Sequence, residues 1–521
     1  MHKNPLLTGT LILTFAGLLT RIMGFFYKIY LSNLMTTETL GLYQMIFPVY
    51  GICYTLYASG IQTAISQLVA NCPPSDFTGA SRQQKHILKT GIFLSVTIAL
   101  ILSFFVYTQS NFIATRFLME ARCTHSLRLL SIAFPFCGIT ACLNGYYYGL
   151  KRTSIPASTQ FLEQLVRIGS VWFLAASLGK NNTQITCELA VLGIVLGEII
   201  SNFYSILSFL AEHCNHFFHQ KKLHKTFEAV SFEKYKLVSP LPKLLTLTIP
   251  LTANRLVISL LHSFETVLVP FTLQKSGLST AEALSIYGIL SGMAMPFILF
   301  PSAITNSLAV LLLPTVSEAQ ATGNIKKIQT IGQLTIKCSL IIGIFATFVF
   351  ILFGNALGIV FFNNASAGYF MVILAWLCPF MYLSTTLGSI INGLGKTHLT
   401  FLNTTVSLGG KIIFICLLVP RQGINGYLIS LLVSQLILTL LDYISILKMV
   451  SLPIDAVDCI VKPCLILTPL GYIFIKIYQL LNTLAVFLPL ILLLTICVLL
   501  CFCYIGLLFL TKVITKEELT L

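Results

Sequence analysis

Arg21 is a cation in the middle of a long apolar run, GTLILTFAGLLTRIMGFFYKIYLS, that begins at Gly9. A guanidinium in such a place suits the gripping of an anion whose oxygens match its fork, such as phosphate or pyrophosphate, or else neutralises a neighbouring carboxylate or bonds backbone carbonyls inside a bundle. The run is longer than the about 20 helical residues that cross a bilayer core of about 30 Å. Arg21 lies about 13 residues into it, or about 20 Å at 1.5 Å per residue, which is too deep for the side chain to reach an edge. Intramembrane cations are costly against lipid and therefore face a bundle interior or a watery cavity. The neighbours agree: Thr14, Gly17, Arg21, Gly24 and Lys28 recur every three or four residues and share one helical face, whereas Leu11, Phe15, Leu18, Ile22, Phe25 and Ile29 fall largely elsewhere.

A second polar stripe, Thr248, Arg255, Ser259 and His262, supplies a second arginine at helical spacing. Glu163 and Arg167 stand at i and i+4, so Arg167 reads either as the partner of Glu163 or as a further anion-binding group. Lys411, in line with Asn403 and Ser407, is another intramembrane cation. The substrate-binding set expected from these patterns is Arg21, Lys28, Arg167 and Arg255. Acidic groups in apolar runs are few, namely Glu163, Glu198, Glu265 and Asp442, and a carboxylate at that depth can carry a proton or a sodium ion. Asp442, one heptad after Gln435, and Glu265 are the expected ion-coupling residues.

No catalytic constellation is visible, and no cofactor is implied. The fifteen cysteines are scattered through apolar segments as small hydrophobes; Cys501 and Cys503 match no metal-ligand or redox spacing. The histidine-rich stretch HCNHFFHQKKLH, from His213 to His224, reads as a solvated basic loop rather than a metal site.

The elements that must position these residues are helices. At 521 residues, 56% hydrophobic and only 9% charged, with a mean hydropathy of +0.88, the chain has too little polar surface for a soluble protein of its size. Its apolar runs are continuous, not the alternating segments of about ten residues that build a β-barrel. The expected class is an all-α polytopic membrane protein with about fourteen spans. The first span is expected to remain in the mature protein: its apolar run is too long for a cleavable signal and lacks a small-residue cleavage site. Placing the N-terminus in the cytoplasm puts about twenty cations on the inner side and about six on the outer, so both termini are expected inside a cell membrane. The net charge of +15 then belongs mainly to the cytoplasmic face, where it suits anionic lipid and does not argue for nucleic acid.

The longest polar stretch divides the chain into an N-terminal six-helix lobe (1–211), a basic cytoplasmic linker (212–243), a second six-helix lobe (244–447) and two further spans with a tail (448–521). LILTFAGLLTRIMGF resembles LLTLTIPLTANRLVI, which sets Arg21 opposite Arg255, and NGYYYGLKRTSIPAS resembles SIINGLGKTHLTFLN. Two such lobes in one orientation imply a pseudo-two-fold along the membrane normal, with the substrate route between them. The run from Gly292 to Ser307, with Pro296 and Pro301, is the expected hinge.

The stretches GTLILTFAGLLTRIMGF, ETLGLYQMIFPVY, SGIQTAISQLVA, NGYYYGLKRTSIPASTQFLEQLVRI and YGILSGMAMPFILFPSAITNSLAVLLLPTVSEA resemble the stage V sporulation protein B group of polysaccharide transporters. That group belongs to the multidrug, oligosaccharidyl-lipid and polysaccharide exporter superfamily, which also holds the MurJ lipid II flippases and the multidrug exporters known as MATE. The resemblance implies fourteen spans, two six-helix lobes and alternating access that carries a polyprenyl-pyrophosphate-linked saccharide, such as lipid II, from the inner to the outer leaflet. It further implies a role in spore cortex peptidoglycan, with membrane lipid and envelope-synthesis proteins as partners, and a headgroup-binding role for Arg21. Gln62, Gln67, Asn71 and Glu265 depart from residues common in the family. The rival readings are a cation-coupled drug exporter of the same fold, which would want an acid in the first span, a membrane enzyme, which would want carboxylates or histidines on a sizeable outer loop, and a non-transporting scaffold for envelope assembly.

Overall fold

The computed structural model describes residues 5–72, 78–179, 186–223, 240–452, 455–484 and 488–514; side chains are described from 16 onward, apart from 78–81, 178–179 and 213–223 within those ranges. No strand occurs among these residues. In chain order the helices are α1 (Pro5–Leu34), α2 (Thr37–Tyr54), α3 (Gly60–Ala70), α4 (Thr78–Thr108), α5 (Ser110–Phe112), α6 (Thr124–Ser131), α7 (Phe134–Gly149), α8 (Ser154–Gly179), α9 (Cys187–Leu223) and α10 (Leu241–Lys275). They continue with α11 (Thr280–Gly288), α12 (Met295–Leu299), α13 (Ser302–Ala321), α14 (Ile325–Phe362), α15 (Ala365–Leu374), α16 (Cys378–Gly393), α17 (Thr397–Gln422), α18 (Ile424–Leu447), α19 (Lys462–Thr483) and α20 (Pro489–Leu510).

Among the described residues ten helices, some of them joined segments, are long and apolar enough to cross a membrane, or eleven if the pair Ala121–Ser131 and Phe134–Gly149, bent by 50°, is one span. The chain is therefore a multi-pass membrane protein. Large apolar side chains lie bare along the spans, Phe93 at 74% and Leu510 at 80%, as a lipid-facing surface requires. Helix ends carry their own stop and start signals. Asn363, at φ 48°, ends α14, Asn364 caps α15 by accepting from the Ala367 amide at 3.1 Å, and Ser279 and Glu282 close a reciprocal box at the start of α11.

The chain divides into two compact units: one takes the residues up to Gly24 and Met45–Val267, the other takes Phe25–Gln44 and the residues from Leu268 onward. In the first, Ile61, Ile65, Val69, Leu88, Leu143 and Tyr147 form one core. A π-helix, Thr55–Ser59, joins α2 to α3 without interrupting the rod. A π-turn breaks the regular i to i−4 ladder and leaves carbonyls in need of donors. Here Ser95 Oγ donates to the Tyr57 carbonyl at 2.6 Å.

The second unit is built on very close helix approaches. Were Gly41 of α2 given a Cβ, it would fall 2.2 Å from the Leu284 carbonyl oxygen, and one at Gly288 would fall 2.1 Å from that of Thr37. The Thr37 and Ser285 hydroxyls meet at 2.6 Å beside them. Small residues let backbones approach and gain dispersion where lipid offers no hydrophobic drive. Further along, Tyr382 OH donates to the Ile298 carbonyl at 2.6 Å, and the last two spans are seated by Tyr504 stacked on Phe345 with ring centroids 5.3 Å apart. The expected hinge region holds another π-helix, Ile289–Ala294, and a helix break between Leu299 and Ser302.

Candidate functional site

Arg21 sits on α1 and is exposed. Among the described residues nothing lies within 4 Å of where a Cβ would stand at Gly17 or Gly24, one turn to either side, so the helix backbone beside Arg21 is uncovered at both turns. Thr20, beside it, folds its hydroxyl back onto the Gly17 carbonyl at 3.1 Å. An arginine with room for a bulky partner and a helical face without side-chain obstruction is free to make a bidentate contact. Lys28, two turns on, is likewise exposed, but it falls in the other unit.

Arg255 is placed differently. It shares a unit with Arg21, and its Nη1 donates to the carbonyl oxygen of Ser59 at 2.6 Å and also to the Ser59 hydroxyl. Ser59 is the last residue of the π-helix, so Arg255 supplies a donor to that irregular stretch. The same face of α10 follows α2 and α3 closely. A Cβ at Gly60 would fall 2.0 Å from Thr252 Oγ1, one at Gly51 would lie 3.5 Å from Ser259 Oγ, and Ser263 Oγ reaches the Pro48 carbonyl at 3.3 Å. Much of the polar stripe on α10 is thus a seam between helices, with Arg255 still exposed at its edge.

Arg167 is ion-paired with Glu163 one turn back, and both side chains are about four-fifths buried. Its charge is shared before any ligand arrives. Glu265 is buried, with His262 Nδ1 at 3.6 Å from its Oε2. Asp442 lies in the second unit, buried on α18, where Asn403 Nδ2 donates to it at 2.9 Å and reaches Ser445 Oγ at 3.1 Å. Gln435 does not join that group but donates to Ser384 Oγ at 2.8 Å. Of the expected residues the fold therefore gathers Arg21, Arg167, Arg255 and Glu265 into one unit and Lys28 and Asp442 into the other. His213 to His224 lie outside the residues whose side chains are described.

A buried carboxylate whose donor is deleted loses about 1–3 kcal/mol. Asn403→Ala is accordingly expected to lower the melting midpoint in detergent, because it strands Asp442. A midpoint equal to that of the unaltered protein would show that this bond does not fasten α17 to α18.

One residue that spacing did not bring forward is Glu198. It is 7% exposed in the middle of α9 and accepts a hydrogen bond from Tyr50 OH at 3.1 Å. Only its acidity inside an apolar run marks it in the sequence, since its partner is 148 positions away.

The model of a family described as polysaccharide biosynthesis protein matches residues 6–320. Stage V sporulation protein B of Bacillus subtilis (strain 168) is 26% identical over 462 residues, which cover 87% of this chain and 86% of that protein. The fold is that of solved transporters. Lipid II flippase MurJ in an inward closed conformation has a TM-score of 0.69 at 15% identity, covering 97% of this chain and 100% of that one. An inward-facing multidrug resistance MATE family transporter of the MOP superfamily has a TM-score of 0.61 at 14% identity, covering 82% and 95%.

Proposed function

The chain belongs to the polysaccharide biosynthesis protein family, and from that premise we propose that it is a flippase for a polyprenyl-pyrophosphate-linked saccharide. The cargo we propose is a peptidoglycan precursor such as lipid II, moved from the inner to the outer leaflet of the cell membrane by alternating access, with both termini cytoplasmic. Arg21 binds the pyrophosphate, assisted by Arg255, Lys28 and Arg167, while the prenyl chain remains in lipid. Asp442 and Glu265 serve ion coupling. No bond is made or broken in this cycle, so the protein acts as a transporter and not as an enzyme. The place of the cycle is spore cortex synthesis, alongside envelope-synthesis proteins.

The observation that carries the reading is that Arg21, a cation within the apolar sequence of α1, is exposed, with open space at the Cβ positions of Gly17 and Gly24 to either side. A headgroup bearing two phosphates needs such a guanidinium, and a bare lipid face does not tolerate one. A cation-coupled drug exporter is less well supported, because the sequence of α1 contains no acidic residue.

The test is translocation of lipid II in proteoliposomes containing the purified full-length chain. Lipid II reaching the outer leaflet faster than in protein-free vesicles is the expected result. An unaltered rate with lipid II, but a raised one with another polyprenyl-pyrophosphate glycan, would keep the flippase and change its cargo. No acceleration with either would overturn the reading in favour of an assembly scaffold.

A further inference from the structure

Within the unit that holds Met45–Val267, a polar cluster is gathered around the buried Glu198. Glu198 of α9 accepts from Tyr50 OH at 3.1 Å, and that hydroxyl also lies 3.6 Å from Cys137 Sγ of α7. Next to Glu198, Gly197 lets α8 come so near that an added Cβ would stand 3.0 Å from the Glu163 carbonyl and 3.5 Å from Arg167 Cβ. That approach brings the Glu163–Arg167 ion pair within electrostatic reach of Glu198. Tyr57, wholly buried on the π-helix, faces Glu198 and has only the weakly bonding thiol of Cys137 beside its hydroxyl.

The titratable and charged groups facing Glu198 are Tyr50, Tyr54 and Tyr57 from the second span, Cys137 from α7, and Glu163 and Arg167 from α8. Arg128 of α6, the other neighbour of α9, is turned away to Ser110 Oγ at 2.8 Å. Ionised, the two carboxylates and one guanidinium leave a single uncompensated negative charge in a low-dielectric interior, an arrangement that is unfavourable until neutralised.

We propose that this cluster is a site for one proton, taken up on the carboxylate of Glu198. A metal cation fits less well, since Arg167 already places a fixed positive charge beside the carboxylates and the thiol of Cys137 is a poor ligand for a hard ion. A proton needs no coordination shell. It also turns Glu198 from a pure acceptor into a donor, while Tyr50 continues to donate to the other carboxyl oxygen. Arg167 then acts as an internal counter-charge that lowers the number of protons needed for neutrality from two to one. This site lies beyond the binding of any lipid-linked saccharide and does not depend on it.

The experiment reads the proton directly and requires no cargo. The full-length protein, reconstituted in lipid, is followed by attenuated-total-reflection infrared spectroscopy as pH is stepped from about 5 to about 9. The expected result is a protonated-carboxyl carbonyl band that titrates in the unaltered protein and in Asp442→Asn but is lost in Glu198→Gln. Tyr50→Phe, which deletes only a hydrogen bond to the ionised form, is expected to move that titration to higher pH, and it remains readable if Glu198→Gln does not fold. A band that survives Glu198→Gln, a titration unmoved by Tyr50→Phe, or one that shifts with sodium concentration at fixed pH would overturn the proposal.

Discussion

Arg21→Ala is expected to slow translocation of the lipid-linked saccharide by about a hundredfold at matched insertion. Truncating one partner of a desolvated, hydrogen-bonded charge pair costs about 2–5 kcal/mol, and each 1.4 kcal/mol is about tenfold. The guanidinium offers two parallel donors to a phosphate, so Arg21→Lys should recover part of the rate, because it restores the charge and not the fork. Proteoliposomes with the two variants at equal protein density separate these terms. Equal rates for Arg21→Ala and the unaltered chain would remove Arg21 from the binding site. Arg255→Ala carries a second meaning, since it also takes the donor from the Ser59 carbonyl at the end of the π-helix. Its rate must therefore be read beside its melting midpoint, whereas Arg21, beside uncovered helix backbone, gives a cleaner answer.

Gly41→Val is expected to be the most damaging single change in the second unit. The added Cβ would meet the Leu284 carbonyl oxygen at 2.2 Å, and Gly288 faces back onto the same turn with the Gly41 amide nitrogen 2.6 Å from its own would-be Cβ. Overpacking typically costs about 1–3 kcal/mol when side chains can yield. Backbone cannot turn aside as a rotamer does, so a loss at or above the upper end of about 3 kcal/mol follows, and the chain should aggregate at a much lower temperature in detergent. Gly506→Val in the last span is the matched control, for nothing among the described residues lies within 4 Å of its Cβ position. Should the two variants melt together, the close approach of α2 and α11 is not what holds that unit.

The helices were legible because the physics that writes them is local, in apolar runs of span length; the caps at Ser279 and Asn363 came with the structure. Arg21 was legible for the same reason, since the cost of a charge at that depth and the small residues on its face are both properties of one helix. The stripe Thr248, Arg255, Ser259 was legible as a stripe and not as what it touches. Small polar residues every three or four positions serve a water-facing wall and a tight helix seam equally, and here Thr252 and Ser259 abut Gly60 and Gly51. Asp442 and Gln435 illustrate the limit of heptad reasoning: they share a face, yet each is bonded to a different helix, through Asn403 and Ser384. Glu198 was one acid among four until the fold set Tyr50 and the Glu163–Arg167 pair around it. The division into units was no more local, because Phe25–Gln44 groups with residues more than two hundred positions later.

The π-helix of the second span has a consequence for how relatives of this chain are compared. A π-turn is in effect one extra residue carried inside a helix that goes on regardless, and everything after it is rotated by about 100° from where an unbroken α-helix would put it. Between Gly51 and Gly60 that rotation decides which carbonyl meets Arg255 and which glycine meets Thr252. A homologue one residue shorter in this interval would align with a trivial gap, yet would turn a different side of the helix toward the arginine. A single-residue deletion within Thr55–Ser59 is thus expected to change the face that α3 turns toward Arg255 while leaving every charged residue in place.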